Sequence, residues 1–168
     1  MIDLKSYQKI TKLNLTKKEL KQMANKKFIE KIVSFYPYNT MSPSGVGTNN
    51  KSTNSPVFYF TYNELPASFN VSFEVALGAL NLNKKYKLQF EIYKDTDELI
   101  ISSPVDVDPS TLPKENLIYE DYISRTFDLT SAYFTVTPGE HAYIASITLL
   151  DDNDNKLDKS STWFVTNQ

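Results

Sequence analysis

The chain of 168 residues contains no cysteine, one histidine, one arginine and four glycines. The lack of cysteine excludes disulfide bonds, thiolate metal sites and a cysteine nucleophile. His141 is the only histidine and Arg125 the only arginine of the sequence. Zinc sites built from several histidines and clamps built from several arginines are therefore excluded too. These absences predict a protein that needs no cofactor and binds no metal.

Long apolar runs are also missing. No segment approaches the ~18 apolar residues of a membrane span. The N-terminal segment is interrupted by charge too often to form the apolar stretch of a secretory signal. We therefore expect no membrane span and a cytoplasmic protein, with a surface or virion location only if a leader has been removed or the protein is a phage component.

The charge that is present is divided unevenly along the chain. Residues 1–31 carry nine lysines and three acidic residues, a net charge of +6. Residues 32–168 carry nine basic and seventeen acidic residues, a net charge of −8. The sequence thus predicts a basic arm over residues 1–31 and one folded domain over residues 32–168. Opposite charges attract, so the arm either docks on its own domain or reaches an acidic partner.

The basic arm contains the start of one helix. Thr16 and Glu19 have the T-x-x-E spacing of a capping box, in which each side chain bonds the other residue's amide. The spacing that follows predicts an amphipathic helix over residues 17–27. Its apolar stripe consists of Leu20, Met23, Ala24 and Phe28, and its candidate binding residues are Lys17, Lys18 and Lys21. A helix this short needs a surface to hold it.

After residue 28 the apolar pattern has a period of two, which is typical of strands with one buried face. It is clearest over residues 67–77 and 85–94, and weaker signals give seven further strands. Residues 39–56 and 103–115 have the composition of long loops. Nine short strands without intervening helices predict an all-β antiparallel sandwich.

The last thirty residues contain the pattern of a closing β-hairpin. Residues 137–140, Thr-Pro-Gly-Glu, look like the turn before the penultimate strand, and Tyr143 looks like the tyrosine that begins it. Residues 151–156 resemble an acidic hairpin tip, and residues 163–165 the last strand. This pattern resembles bacterial immunoglobulin-like domains, and the resemblance implies an immunoglobulin-like sandwich and no activity.

Acidic residues are the main candidates for chemistry. Asp151, Asn153 and Asn155 have the alternate spacing of the first ligands in a calcium loop. Lys156 and Thr162 stand where such a loop requires glycine and glutamate, so a solvated hairpin tip is the better interpretation. The acids near Asp106 and Asp108 leave a hydrolase as a minor alternative.

Aromatic residues make up 13% of the chain. They serve first as core, and second as contact surfaces, where tyrosine is favoured. The candidate binding tyrosines are Tyr36, Tyr38, Tyr59 and Tyr62. We expect Phe58, Phe60 and Tyr62 to share one strand face.

Together these features predict a non-catalytic protein-interaction or assembly module of a bacterial or phage protein, with a protein partner or self-association. A carbohydrate-recognising or surface-attachment module is the alternative. Nucleic acid is disfavoured as a partner because the arm lacks arginine and the acidic domain repels phosphates.

Overall fold

The computed structural model describes residues 29–38, 56–95, 97–112, 117–119 and 121–167. Their regular structure is β-strand, apart from a 3₁₀ turn at Pro109–Thr111, and they include no helix long and apolar enough to cross a membrane. The helix predicted over residues 17–27 lies outside the described residues. The strands are β1 (Lys31–Tyr38), β2 (Tyr59–Thr61), β3 (Ala67–Phe69), β4 (Ser72–Asn81), β5 (Tyr86–Lys94), β6 (Glu98–Val107), β7 (Leu117–Tyr119), β8 (Tyr122–Thr130), β9 (Phe134–Val136), β10 (His141–Asp151) and β11 (Lys156–Asn167).

The strands form two main sheets and one small one. The four-stranded sheet has the order β1-β4-β8-β7, the five-stranded sheet has the order β2-β11-β10-β5-β6, and β3 pairs with β9. The all-β prediction is confirmed. The expectation of purely antiparallel pairing is wrong at one place, because β2 runs parallel to β11. Twenty residues separate the end of β1 from β2, which is enough chain to bring β2 alongside β11 in the same direction.

The core lies between the two main sheets and follows the period-two pattern. The inward residues of β4 and β5 are almost completely buried, and the Phe73 and Phe90 rings meet across the sheets with centroids 5.4 Å apart. At one corner the sheets are also joined by a hydrogen bond, which the Ile32 amide donates to the Asp158 carboxylate over 2.8 Å. The predicted core residues are confirmed as buried: Phe69, Val71, Phe73, Val75, Leu77, Tyr86, Leu88, Phe90 and Ile92.

The segment predicted as one strand over residues 67–77 is two strands, with a break at Asn70 and Val71. At the break the Ser131 side chain replaces a strand partner: its Oγ accepts the buried Val71 amide over 3.0 Å. The Ser131 amide in turn donates to the Val71 carbonyl over 2.9 Å. This local pairing lets the chain leave β3 and enter β4 without leaving the buried Val71 amide unpaired.

The loop predicted over residues 103–115 is shorter than expected, because β6 continues through Pro104 to Val107. Proline has no amide to donate, so strands accept it mainly at a sheet edge. β6 is such an edge strand, and Pro104 pairs with Gln89 of β5. β6 also has a bulge at Ile100, where the register shifts so that Leu99 pairs with Tyr93. β7, which the sequence pattern did not predict, follows the 3₁₀ turn.

Candidate functional site

Two of the predicted binding tyrosines lie on the outer face of the four-stranded sheet. Tyr36 pairs with Glu74, and Tyr38 with Ser72, across β1 and β4. The Tyr36 hydroxyl donates to the Glu74 carboxylate, and this bond, with partial burial, raises the pKa of Tyr36 to about 12. Burial and a hydrogen bond to Asp128 raise the pKa of Tyr38. Both hydroxyls are therefore held by carboxylates of the same sheet.

Tyr59 and Tyr62 lie elsewhere and apart from each other. Tyr62 packs edge-on against Phe69 at the end of the core, and burial raises its pKa. Tyr59 points outward from β2 and is 64% exposed. The four predicted tyrosines thus fall in three places and do not form one site. The predicted binding lysines Lys17, Lys18 and Lys21 lie outside the described residues.

The expectation that Phe58 shares a face with Phe60 and Tyr62 is wrong. β2 begins only at Tyr59, so the alternation does not extend back to Phe58. The Phe58 ring instead stacks on Trp163, with centroids 5.0 Å apart and planes 29° apart. Val57 packs against the core in its place.

The outer face of the five-stranded sheet carries a continuous line of apolar side chains. Along the pairing register, Trp163 of β11 is opposite Ile144 of β10, and Ile144 is opposite Tyr93 of β5. Tyr93 is in turn opposite Leu99 of β6, while Tyr59 of β2 touches the Trp163 ring edge-on at 6.3 Å. We call Tyr59, Trp163, Ile144, Tyr93 and Leu99 the apolar row. It crosses all five strands of the sheet.

Four side chains of the apolar row are exposed and the fifth, Tyr93, is half-buried. Leu99 and Trp163 are each 50% exposed and Ile144 is 39% exposed. Their neighbours Phe164, Tyr143 and Ile92 point into the core and are fully buried. Outward positions of a one-sided sheet are normally polar, so a line of apolar groups across five strands is a candidate contact surface.

The sequence reasoning missed four of the five members of the apolar row and found only Tyr59. The signal was nevertheless present: Trp163, Ile144 and Tyr93 are each flanked by residues of the alternating buried set. Each is an apolar residue at an outward position. The strand order, which places these positions in one line, could not be predicted from the sequence alone.

The surroundings of the apolar row are acidic at the end formed by β5 and β6. Residues 91–99 include four acidic residues and one lysine. The Glu91 carboxylate lies on the same face and accepts the Tyr93 hydroxyl over 3.2 Å, and burial together with Glu91 raises the pKa of Tyr93. A partner that carries apolar groups and positive charge would match this surface.

Two of the acidic candidates for chemistry, Asp151 and Asp108, have structural partners. The Asp151 carboxylate accepts the amides of Asn153 and Asn155 over 2.9 and 2.8 Å, so it organises the hairpin turn. Asp108 accepts the Ser110 amide at the start of the 3₁₀ turn and lies 3.7 Å from the Lys85 ammonium. The described residues contain no group of three or more acidic or histidine side chains placed to hold a metal ion.

His141 joins two loops at one end of the five-stranded sheet. Its Nδ1 lies 2.9 Å from an Asp95 carboxylate oxygen, and its Nε2 lies 3.0 Å from the Thr137 hydroxyl. The other Asp95 oxygen accepts the Ala142 amide over 3.2 Å. Because both ring nitrogens are engaged, His141 acts as a clamp between the loop at Asp95 and the loop at Thr137.

We expect the clamp to make a small, pH-dependent contribution to stability. The hydrogen bond from His141, together with the Ala142 amide, holds the pKa of Asp95 below its usual value of 3.8. The folded state favours the ionised Asp95 carboxylate, so this group stabilises the fold at pH values above its pKa in the unfolded chain. The contribution is lost as the pH falls through the lower pKa of the folded state. Asp95→Asn should therefore lower the melting temperature by about 1–3 °C at pH 5, as for an exposed pair, and by less at pH 2.5.

Thermal melts monitored by circular dichroism measure this difference. Asp97→Asn, in the same turn, is the matched control. An equal loss at both pH values would contradict the role assigned to the Asp95 carboxylate.

No family model matches the chain, and no curated protein matches its sequence. Among solved structures, the fold is similar to a bacterial adhesin from Mobiluncus mulieris containing intramolecular disulfide, isopeptide and ester bond cross-links. The TM-score is 0.52 at 10% identity, and the match covers 83% of this chain and 57% of the adhesin, so this chain spans little more than half of its length. The CooA pilin subunit from enterotoxigenic Escherichia coli is also similar, with a TM-score of 0.40 at 11% identity over 68% of this chain and 92% of the pilin. The likeness to the adhesin shows a shared β-rich fold.

Proposed function

We propose that this chain is a non-catalytic interaction module, an immunoglobulin-like sandwich that binds another protein through the apolar row. The observation that carries the proposal is the exposure of Trp163, Ile144 and Leu99 in one line across the outer face of a sheet. Burying such a surface against a partner releases free energy in proportion to its apolar area. Trp and Tyr are also the residues most enriched where binding energy is concentrated.

The strands that carry the apolar row hold it in a fixed shape. Phe164, next to Trp163, stacks on Tyr143 with centroids 4.8 Å apart, and both rings are fully buried. The row is thus mounted on a packed core and does not have to be ordered upon binding, which lowers the entropic cost of association.

The composition of the apolar row favours a protein over a carbohydrate as the partner. A sugar site combines an aromatic platform with polar groups that bond hydroxyls, whereas Ile144 and Leu99 offer only aliphatic surface. The Phe58 ring also covers one face of the Trp163 indole. Apolar side chains with tyrosine and tryptophan are the composition of protein contacts.

The setting that we favour is a bacterial surface structure. The fold likeness to an adhesin supports this setting at the level of architecture only. In this proposal residues 32–168 form the sandwich and residues 1–31 form an arm that precedes it. Of the tyrosines predicted from the sequence, Tyr59 belongs to the contact surface, while Tyr36, Tyr38 and Tyr62 are structural.

Site-specific photo-cross-linking in the cells that make the protein tests the proposal. A photoreactive amino acid is placed at Ser161, which is exposed on β11 two residues from Trp163. The matched control position is Thr126, which is exposed on β8 in the other sheet. We expect a discrete protein cross-link from position 161, lost when Trp163→Ser is added, and none from position 126. Equal labelling from the two positions, or no protein product from position 161, would refute the row as a contact surface.

A further inference from the structure

The apolar row and the basic arm predicted over residues 1–31 are complementary in composition and charge. We propose that the row binds the N-terminal arm of a second copy of this chain, so that the module associates with itself. This inference rests on the proposed function and names its partner. It joins two surfaces that otherwise have no assigned occupant: the row described above, and the apolar stripe of the helix predicted over residues 17–27.

The predicted helix and the apolar row have complementary chemistry. The predicted helix presents apolar side chains on one face and lysines around them, within an arm of net charge +6. The row presents apolar side chains beside residues 91–99, which have four acidic residues and one lysine. Apolar surface thus meets apolar surface while the flanking charges have opposite signs, which steers encounter and fixes orientation.

The predicted helix and the apolar row also match in length. Five strands at a spacing of ~4.8 Å make the row about 19 Å long from β2 to β6. Eleven residues of helix at 1.5 Å each are about 16 Å long. A helix lying across the strands therefore places its whole apolar stripe on the row. A helix lying along the strands would leave most of that stripe on polar positions such as Ser161 and Gln89.

The limited reach of the arm favours the row of a second copy over the row of the same molecule. Glu30 is anchored at the far end of the sandwich, where its carboxylate accepts the Lys84 ammonium over 2.9 Å and the Tyr86 hydroxyl over 3.3 Å. Burial raises the pKa of Glu30, but these hydrogen bonds and the Lys84 charge outweigh it and lower the pKa overall. The arm therefore leaves the domain from a fixed point.

From that point the row of the same molecule is too far away. Tyr93 lies seven residues along β5 from Tyr86, about 23 Å at ~3.3 Å per residue. Asp158 of β11 bonds the start of β1. Trp163 lies five residues further along β11, so it is about 17 Å from the start of β1. Only two Cα steps of ~3.8 Å connect Phe28 to Glu30 along the chain, a reach of at most about 7.6 Å. The stripe of this arm cannot lie across its own row, whereas the arm of a neighbour has no such restraint.

The contact joins two different surfaces, so it is heterologous unless two copies exchange arms reciprocally. Sedimentation velocity on the full chain measures it. At low salt we expect a concentration-dependent series of oligomers or a reciprocal dimer, and both support the proposal. Raising the salt should weaken the association, because exposed charge pairs are screened beyond ~8–10 Å at physiological ionic strength.

Variants on each side of the contact then identify it. In the row variant, Trp163→Ser should weaken self-association about 30-fold, the effect of losing a central aromatic anchor. Leu99→Ser, at the other end of the row, gives a second variant should the first fold poorly. In the arm variant, Lys17, Lys18 and Lys21 are all replaced by glutamate, and we expect a loss of tenfold or more at low salt. The controls are Tyr133→Ser, an exposed tyrosine away from the row, and the three lysines replaced by arginine.

Mixing the two defective proteins separates binding between copies from folding back within one copy. The arm variant keeps an intact row and the row variant keeps an intact arm, so their mixture should form a one-to-one complex that neither forms alone. A mixture that stays monomeric while the unaltered protein associates would overturn the proposal. So would an unaltered protein that is monomeric at high concentration and low salt. If position 161 cross-links to a different protein in cells, the proposed function stands and this inference fails.

Discussion

Phe73→Ala is expected to lower the free energy of unfolding by about 3–5 kcal/mol, the usual cost of truncating a buried phenylalanine. Phe73 is completely buried in β4. Its ring stacks on Phe35 at 5.1 Å within its own sheet and meets Phe90 and Phe164 of the other sheet at 5.4 and 6.2 Å. Its removal therefore leaves a cavity at the place where the two sheets meet.

Urea unfolding monitored by circular dichroism measures this loss. In a thermal melt, the melting temperature of a chain of this size should fall by about 6–20 °C for the same loss of free energy. The matched control is Tyr133→Ala, which removes an aromatic ring that is 71% exposed and should change stability by less than about 0.5 kcal/mol. A loss below about 1 kcal/mol for Phe73→Ala would show that Phe73 does not join the sheets as described.

Ser131→Ala is expected to cost about 1–3 kcal/mol, because it leaves the buried Val71 amide without its acceptor. Serine and alanine differ by one oxygen, so little packing is lost. The cost is the desolvation of a backbone donor at the break between β3 and β4. Hydrogen exchange of the Val71 amide should also become faster, because its protection depends on the Ser131 hydroxyl.

Two substitutions make the test of Ser131 specific. Ser131→Thr keeps the hydroxyl and should retain part of the stability, while Ser161→Ala removes an exposed hydroxyl and should have little effect. If Ser131→Ala and Ser161→Ala are equally mild, the side chain does not replace a strand partner at the break.

The core was predictable from the sequence because period-two alternation is a local property. Val71, Phe73 and Val75 face one side whatever the order of the strands, and one buried face per sheet determines which side. The end of β6 was not predictable in the same way. Pro104 argues against a strand unless that strand is known to be an edge, and edge position is a property of the sheet.

The apolar row shows the same limit more sharply. The sequence points to Tyr59 because its segment is apolar on both faces, whereas Ile144 and Leu99 are ordinary residues in their own strands. Only the pairing of β11, β10, β5 and β6 brings Trp163, Ile144, Tyr93 and Leu99 into line. A surface assembled from one residue per strand leaves little trace in a sequence read strand by strand.

The proline and the bulge in β6 have a consequence for aggregation. An uncovered edge strand is a template on which a foreign strand can pair and extend the sheet without limit. Pro104 offers no amide to such a strand, the register shift at Ile100 interrupts the ladder, and Glu98 and Asp106 place negative charge near its two ends. These features disfavour sheet extension through the backbone at this edge. In the proposed association the contact is made instead by side chains on the face of the sheet, where partners can be selected by shape and charge.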